Sequence, residues 1–112
     1  MTGITTHVLD TARGRPAADL AVSLARRAGE NWTELAAART DASGRVANLL
    51  PEGLKNPTGT YRLRFDTGTY FKAHGVVSFH PFIEIVFDLR DAEHYHVPLL
   101  VSPFGYTTYR GS

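Results

Sequence analysis

An all-β fold built from many short strands is the class that this sequence predicts. Apolar and polar residues alternate with a period of two in short segments, as they do in half-buried strands. Gly, Pro, Asp and Asn separate these segments and favour turns between them, a pattern typical of a sandwich or a barrel. The composition suits a packed core, because 43% of the 112 residues are hydrophobic and 21% are charged. We expect one domain over residues 1–112, since a single core usually serves chains of roughly 100–200 residues.

The first predicted strands lie on either side of a segment that breaks regular pairing. Residues 4–10 alternate as a strand, and Gly14 and Pro16 then interrupt the pattern. Alternation resumes over residues 20–27, which predicts the second strand.

Two turns define the next strands. The segment 29–31 contains Gly and Asn and predicts a hairpin before a third strand over residues 32–40. The sequence Asp41-Ala42-Ser43-Gly44 predicts another turn before a short strand over residues 45–47. We expect these strands to be antiparallel neighbours.

The middle of the chain predicts a loop, a strand and the single helix. Residues 50–59 are rich in Pro and Gly, which indicates a surface loop, and residues 60–65 alternate again. Asp66 can cap a short helix over residues 67–74 through its side chain, and Gly75 can end that helix.

The last part of the chain predicts three strands. They cover residues 81–89, 94–101 and 106–111. The turn Ser102-Pro103-Phe104-Gly105 joins the last two strands as a hairpin.

Composition excludes several classes of partner and chemistry. Twelve basic residues balance 11 acidic ones for a net charge of +1, without a long run of either sign, so we expect neither a nucleic acid nor a membrane as a partner. The absence of cysteine excludes disulfides and thiolate nucleophiles. Because the sequence lacks a leader pattern and an 18-residue apolar segment, we expect cytoplasmic localisation.

Histidines mark one face of a late strand. Alternation places His94 and His96 on one side of the strand over residues 94–101, and apolar residues such as Val97 on the other. In a hairpin with the C-terminal strand, Tyr109 and Arg110 would lie within a few residues of these histidines.

The histidines by themselves leave several interpretations open. A histidine on a strand is most often a structural or surface residue. His94 and His96 could also ligate zinc, with His7 as a third ligand, although the sequence identifies no carboxylate to orient such ligands. Arg45 alone indicates only a solvated charge after a turn.

The most specific motif is the ending Tyr109-Arg110-Gly111-Ser112, which follows His94-Tyr95-His96-Val97-Pro98-Leu99-Leu100-Val101-Ser102-Pro103. This ending resembles the hallmark of the 5-hydroxyisourate hydrolases. The opening His7-Val8-Leu9-Asp10 and the central Asp41-Ala42-Ser43-Gly44-Arg45 are similar to two other motifs of that family. The resemblance covers essentially the whole chain.

That resemblance implies a fold, a reaction and an assembly. The fold is the transthyretin-like (prealbumin-like) two-sheet β-sandwich with one short helix. The reaction opens the six-membered ring of 5-hydroxyisourate to give 2-oxo-4-hydroxy-4-carboxy-5-ureidoimidazoline, without cofactor or metal. The assembly is a homotetramer, a dimer of dimers with the sites at the interface between dimers.

The resemblance also assigns roles to residues. It implies that His7, Arg45 and His96 are catalytic, with the two histidines sharing water activation and protonation of the leaving nitrogen in an order that stays open. The substrate-binding residues that it implies are His7, Arg45, Tyr109, Arg110, Gly111 and Ser112.

A small-molecule carrier of the transthyretin type is the main alternative, because it has the same fold. Four positions separate the two functions. Transthyretin has Lys, Glu, Thr and Thr where this sequence has His7, Arg45, His96 and Tyr109, and all four residues here are those of the hydrolase. A purely structural sandwich module is a further alternative, and the clustered His and Arg residues argue against it.

Overall fold

The computed structural model describes residues 2–112, which form nine strands and one helix arranged in two sheets. The elements in chain order are β1 (Gly3–Asp10), β2 (Arg15–Pro16), β3 (Ala21–Ala28), β4 (Asn31–Arg39), β5 (Arg45–Val46), β6 (Gly59–Phe65), α1 (Thr67–Ala73), β7 (Ile83–Leu89), β8 (His94–Ser102) and β9 (Gly105–Thr108). No helix in this part of the chain is long and apolar enough to cross a membrane. The predicted all-β sandwich with one short helix is confirmed.

The first sheet is organised around β1. This strand pairs with β8 in parallel over its whole length and with β2 and β5 in antiparallel on its other side. β8 continues into β9 through the predicted hairpin turn. Parallel neighbours need a long crossover connection, and here almost the whole intervening chain supplies it.

The second sheet is antiparallel throughout, in the order β4-β3-β6-β7. The predicted hairpin between β3 and β4 is present, with Gly29 at a φ of 65° in its turn. A bulge between Leu24 and Ala25 shifts the pairing of β3 with β4 by one residue.

The core lies between the two sheets. Both sheets contribute fully buried side chains from alternate positions of their strands, as the period of two predicts. The largest of these are Tyr61, Phe65, Ile4, Leu24, Leu63, Leu89 and Leu99, and Leu20, just before β3, is equally buried. Burial of one such aliphatic side chain contributes about 1.5–3 kcal/mol to folding.

One pairing prediction is wrong, because β4 and β5 are not neighbours. The turn after β4 carries the chain to the other sheet, where β5 pairs with β1. Two backbone bonds fix this crossing: Val8 N–H donates to the Gly44 carbonyl at 2.8 Å, and Gly44 N–H donates to the Asp41 carbonyl at 2.9 Å. A local turn signal does not encode which strand a chain meets after the turn.

The start of the helix also differs from the prediction. Asp66 occupies the N-cap position, but its side chain makes no capping bond and instead accepts a hydrogen bond from Arg64 Nε at 3.2 Å. The Arg64 guanidinium thus binds the Asp66 carboxylate in place of a backbone N–H at the start of the helix. The predicted stop is present, with Gly75 at a φ of 70°.

A buried hydrogen bond joins the helix to the first sheet. The Tyr70 hydroxyl donates to Asp10 Oδ2 at 2.9 Å, and both residues are buried. Burial first, and the hydrogen bond to Asp10 second, raise the pKa of Tyr70. The phenol therefore keeps its proton and remains the donor to the carboxylate.

The crossing turn, residues 41–44, carries the chain from β4 to β5, and a substitution of Gly44 tests how tightly this turn packs on β1. Its φ is 79°, and a Cβ there would lie 2.4 Å from the Val8 carbonyl oxygen. We expect Gly44→Ala to lower the free energy of unfolding by roughly 1–3 kcal/mol for the backbone conformation alone, with a further loss from the clash. Urea denaturation measures the change.

Gly14→Ala is the matched control, because Gly14 has a φ of 66° and an added Cβ there would meet nothing within 4 Å. The control shares the backbone cost and lacks the clash. Equal losses in the two variants would contradict close packing of the turn on β1.

Candidate active site

Three strands of the first sheet place polar side chains around one open cleft of about 360 Å³. β1 contributes Thr5, β5 contributes Arg45, and β8 contributes His94 and His96. Ser112 closes one side of the cleft.

The parallel register of β1 and β8 brings the first of these groups together. Thr5 is the Cα partner of His96, and Gly3 is the partner of His94. Thr6 points to the opposite face, where its hydroxyl is buried and donates to the Val97 carbonyl at 2.7 Å. Alternation along β1 therefore directs Thr5 to the cleft side.

A single hydroxyl group contacts both histidines of β8. Thr5 Oγ1 lies 2.9 Å from His94 Nε2 and 2.8 Å from His96 Nδ1. These contacts fix the orientation of both rings and leave Nε2 as the nitrogen of His96 that is free to meet a ligand.

His7 is a neighbour of the cleft residues on β1 and β5 and is not itself one of the residues that line the cleft. It is on the same face of β1 as Thr5 and is the Cα partner of both Pro98 on β8 and Arg45 on β5. Its side chain is half-buried and close enough to His96 for its charge to affect that residue.

The crossing turn holds Arg45 in place through its backbone. The Asp41 carboxylate accepts hydrogen bonds from Ser43 N–H at 2.9 Å, Ser43 Oγ at 2.7 Å and Arg45 N–H at 3.0 Å. These bonds, led by the Ser43 hydroxyl, lower the pKa of Asp41, so the carboxylate stays charged and the turn stays closed. The guanidinium of Arg45 remains exposed to a ligand.

The environment of His96 favours its neutral form. Burial is the first cause of its lowered pKa, followed by the positive charges of Arg45, His7 and His94. His96 therefore takes up a proton at a lower pH than an ordinary imidazole does. A neutral imidazole is the form that accepts a proton.

Gly111 packs directly on the His96 ring. Its N–H donates to the His96 carbonyl at 2.7 Å, which returns the C-terminal segment to β8 after β9 has ended. A Cβ on Gly111 would lie 2.6 Å from His96 Cδ2. Only glycine allows this approach without displacement of the ring.

Tyr109 and Arg110 lie away from the histidines of their own chain. Both border a second cleft, of about 300 Å³, on the side of Tyr95 and β7. The Arg110 guanidinium carbon lies 4.1 Å from the centroid of the Tyr95 ring, and this cation–π contact holds the side chain there. We expected Tyr109 and Arg110 to lie near His94 and His96. Only the backbone of this segment returns to β8, at Gly111, because β9 ends at Thr108.

The three-histidine alternative receives no geometric support. Within residues 2–112, no group of three or more His, Cys, Asp or Glu side chains is arranged to hold a metal ion. His94 and His96 share the Thr5 hydroxyl instead.

Thr5 is the site residue that the sequence did not single out. Its hydroxyl has no motif of its own, and a threonine on a strand ordinarily indicates only β propensity. The sequence feature that could have indicated a role for Thr5 is its position two residues before His7, on the same face of the strand.

The arrangement is equipped for acid–base chemistry on a polar ligand. A neutral imidazole can take a proton from water, and a second imidazole is near enough to return one. The permanently charged guanidinium of Arg45 can stabilise negative charge that develops on a ligand oxygen.

The chain is similar to known 5-hydroxyisourate hydrolases in sequence and in structure. A 5-hydroxyisourate hydrolase of Caulobacter vibrioides is 50% identical over 117 residues, with all of both chains covered. The structure of Klebsiella pneumoniae 5-hydroxyisourate hydrolase matches with a TM-score of 0.85 and 38% identity, over 99% of this chain and 100% of that one.

Transthyretin has an equally similar fold. The structure of sea bream transthyretin in complex with thyroxine matches with a TM-score of 0.90 and 37% identity, over 97% of this chain and 94% of that one. The predicted transthyretin-like sandwich is confirmed. The model of the HIUase/Transthyretin family matches residues 4–111, and the chain belongs to that family.

Proposed function

We propose that this protein is a 5-hydroxyisourate hydrolase, which adds water to a ring carbonyl and opens the six-membered ring to 2-oxo-4-hydroxy-4-carboxy-5-ureidoimidazoline. The observation that carries the proposal is the cleft that His96 and Arg45 both line, with His7 paired to Arg45 across β1 and β5. The identity of 50% to a hydrolase over the full chain supports it.

The site chemistry favours hydrolysis over carriage of a ligand. A carrier needs shape and contact area, whereas this cleft concentrates imidazoles, a guanidinium and hydroxyl groups. Fold similarity does not decide the matter, since transthyretin and the hydrolase match this chain about equally well.

His96 and His7 are the proposed acid–base pair. Water is a weak nucleophile at neutral pH, and the neutral Nε2 of His96 can accept its proton as the oxygen attacks the carbonyl. The other histidine can then protonate the leaving nitrogen. Arg45 would stabilise the negative charge on the attacked carbonyl oxygen, because its charge does not depend on pH.

The remaining substrate-binding residues come from the C-terminal segment. Ser112 borders the cleft, and Gly111 packs on the His96 ring. Tyr109 and Arg110 border the neighbouring cleft, so we infer that they reach a substrate in the first cleft of another subunit.

A homotetramer, as a dimer of dimers, is the proposed assembly. The edge strands β7 and β9 each have an unpaired side within residues 2–112. Large apolar side chains are exposed close to these edges: Val86 (57%), Phe79 (70%), Phe104 (70%) and Tyr106 (43%). Exposed edges and apolar side chains are features that association covers. We also propose that each subunit is one domain over residues 1–112. The proposed localisation is cytoplasmic.

The activity test follows the decay of freshly generated 5-hydroxyisourate by ultraviolet absorbance, with and without the chelator-treated protein. We expect acceleration that survives the chelator and an Arg45→Ala variant whose turnover is lower by roughly 10²–10³, the usual effect of losing one donor to a developing oxyanion. Arg27→Ala, on the exposed end of β3, is the control. A folded protein that binds the compound and does not accelerate its decay would favour the carrier instead.

Gly111→Ala tests the packing of Gly111 on His96. Because the added methyl would meet His96 Cδ2 at 2.6 Å, we expect the ring to move and kcat/KM to fall by roughly 100-fold, the effect of misplacing a reacting group by about 1 Å. Thermal unfolding should change little. Gly105→Ala is the matched control, since its Cβ would meet only Ser102 Oγ at 3.9 Å. Equal kcat/KM values for Gly111→Ala and Gly105→Ala would show that the contact of Gly111 with His96 does not affect catalysis.

Phe79→Asp tests the assembly. A charge at this exposed position should prevent burial of the apolar surface, so sedimentation velocity should show single chains in place of four. We expect circular dichroism to retain the β signal while activity is lost. Thr33→Asp, exposed on β4, is the control, and an active Phe79→Asp monomer would exclude a site that depends on assembly.

A further inference from the structure

A third cleft, of about 460 Å³, lies where the turn after β1 meets the end of helix α1. Arg13 from the turn, Arg15 from β2 and the titratable His74 from the end of the helix line it together. We propose that this cleft binds a phosphate group. The site lies outside the proposed active site, so it does not depend on the proposed hydrolase function.

The third cleft is well separated from the cleft that contains His96. Asp10, the pairing partner of Arg15, is five residues along β1 from Thr5, which corresponds to about 17 Å of extended strand. In addition, β2 is at the opposite edge of the first sheet from β9. Association through the β7 and β9 edges therefore takes place away from the third cleft.

The lining of the third cleft has positive charge and no carboxylate to balance it. No Asp or Glu of residues 2–112 lines the cleft, and neither Arg13 nor Arg15 forms an ion pair within this range. Two guanidinium groups on one cleft repel each other, and an anion bound between them offsets that repulsion. Four other arginines are paired with carboxylates: Arg39, Arg62, Arg64 and Arg90.

Asp10 is the carboxylate behind this lining, and other donors occupy it. It is buried and accepts hydrogen bonds from the Tyr70 hydroxyl at 2.9 Å and from the Arg13 backbone N–H at 3.1 Å. Tyr70 lines the cleft, whereas Asp10 does not. Asp10 therefore holds the turn through the backbone of Arg13 and leaves both arginine side chains without an ion pair.

His74 orients the side chain of Arg13. The Nη1 atom of Arg13 lies 3.2 Å from His74 Nδ1. A guanidinium group has only donors, so Nδ1 is the acceptor, and neutral His74 carries its hydrogen on Nε2. The His74 ring packs in turn on Tyr70, with 4.6 Å between the ring centroids. The remaining guanidinium hydrogens of Arg13 and the Nε2–H of His74 are thus the donors left for a ligand.

A phosphate group matches this set of donors better than a carboxylate does. A phosphomonoester carries a charge of about −1.5 to −2 near neutral pH and has three terminal oxygens. Two guanidinium groups, which bind phosphate in a bidentate manner, and one imidazole N–H supply donors for all three oxygens. The cleft volume lies in the range of about 300–1,000 Å³ that is typical of small-molecule sites, which leaves room for the group that carries the phosphate.

Arg15→Gln is the direct test, because Arg15 is exposed and its loss breaks no ion pair. The measurement is a titration with inorganic phosphate at constant ionic strength, followed in ¹H–¹³C spectra of the five histidine rings. We expect the His74 signals to shift and saturate. Binding should be roughly 10- to 100-fold weaker in Arg15→Gln, which loses a charge-assisted contact with the anion.

Three variants serve as controls. Arg27→Gln removes the same charge from the exposed end of β3 and should bind phosphate like the unaltered protein. Arg15→Lys keeps the charge, loses the planar fork and should recover part of the affinity. Because phosphate can also meet Arg45 in the first cleft, Arg45→Ala should remove any response of His96 and retain that of His74.

Glycerol phosphate, a phosphomonoester, identifies the source of the phosphate group when it replaces the inorganic ion. Tighter binding of the ester would assign the site to a phosphorylated metabolite, and equal or tighter binding of the free ion would assign it to inorganic phosphate. A His74 response that potassium chloride reproduces, or equal affinities in Arg15→Gln and Arg27→Gln, would overturn the site. These results are independent of whether the protein turns over 5-hydroxyisourate.

Discussion

The parallel pairing of β1 with β8 is the constraint on which the rest of the site depends. Its register runs without a shift from Gly3 opposite His94 to Asp10 opposite Val101. Because side chains alternate, this register fixes which groups share the cleft: Thr5 faces the histidines, and Thr6 is directed into the protein. A slip of one residue would exchange these two threonines and separate the hydroxyl from both imidazoles.

Backbone contacts then place the remaining groups against this pair of strands. The crossing turn positions Arg45 because the carbonyl of Gly44 accepts from Val8 and the carboxylate of Asp41 closes the turn. At the other side, Gly111 meets the His96 ring at a distance that excludes any side chain. Both glycines act through close approach, so a side chain at either position would displace a group that holds Arg45 or His96 in place. Burial, followed by the positive charges of the neighbouring residues, then lowers the pKa of His96.

Sequence patterns predicted the elements well and the partners of those elements less well. Alternation and turn residues located every strand except β2 to within a few residues, and Gly75 marked the end of the helix. The short strand β2 (Arg15–Pro16) lies where Gly14 and Pro16 had indicated only a break in pairing. The β4 to β5 connection was misjudged because the turn signal at Asp41–Gly44 is the same for a hairpin and for a crossing between sheets. Asp66 was expected to cap the helix, and the nearby Arg64 took its carboxylate.

The candidate site shows the same division between local and long-range information. Motif resemblance predicted roles for His7, Arg45, His96 and the C-terminal tetrapeptide, since these residues stand in recognisable strings. The resemblance did not distinguish the positions of these four C-terminal residues. Ser112 lines the first cleft and Gly111 packs on His96, whereas Tyr109 and Arg110 line the second cleft. Thr5 escaped notice because its importance arises from two contacts across about ninety positions of sequence.

The most direct test of the central claim is a crystal structure with a hydrolysis-resistant analogue of 5-hydroxyisourate. The account predicts a ring oxygen of the analogue against the Arg45 guanidinium and a polar atom or bridging water within hydrogen-bond distance of His96 Nε2. An analogue bound only between Tyr109 and Arg110 of one chain, with His96 untouched, would contradict it.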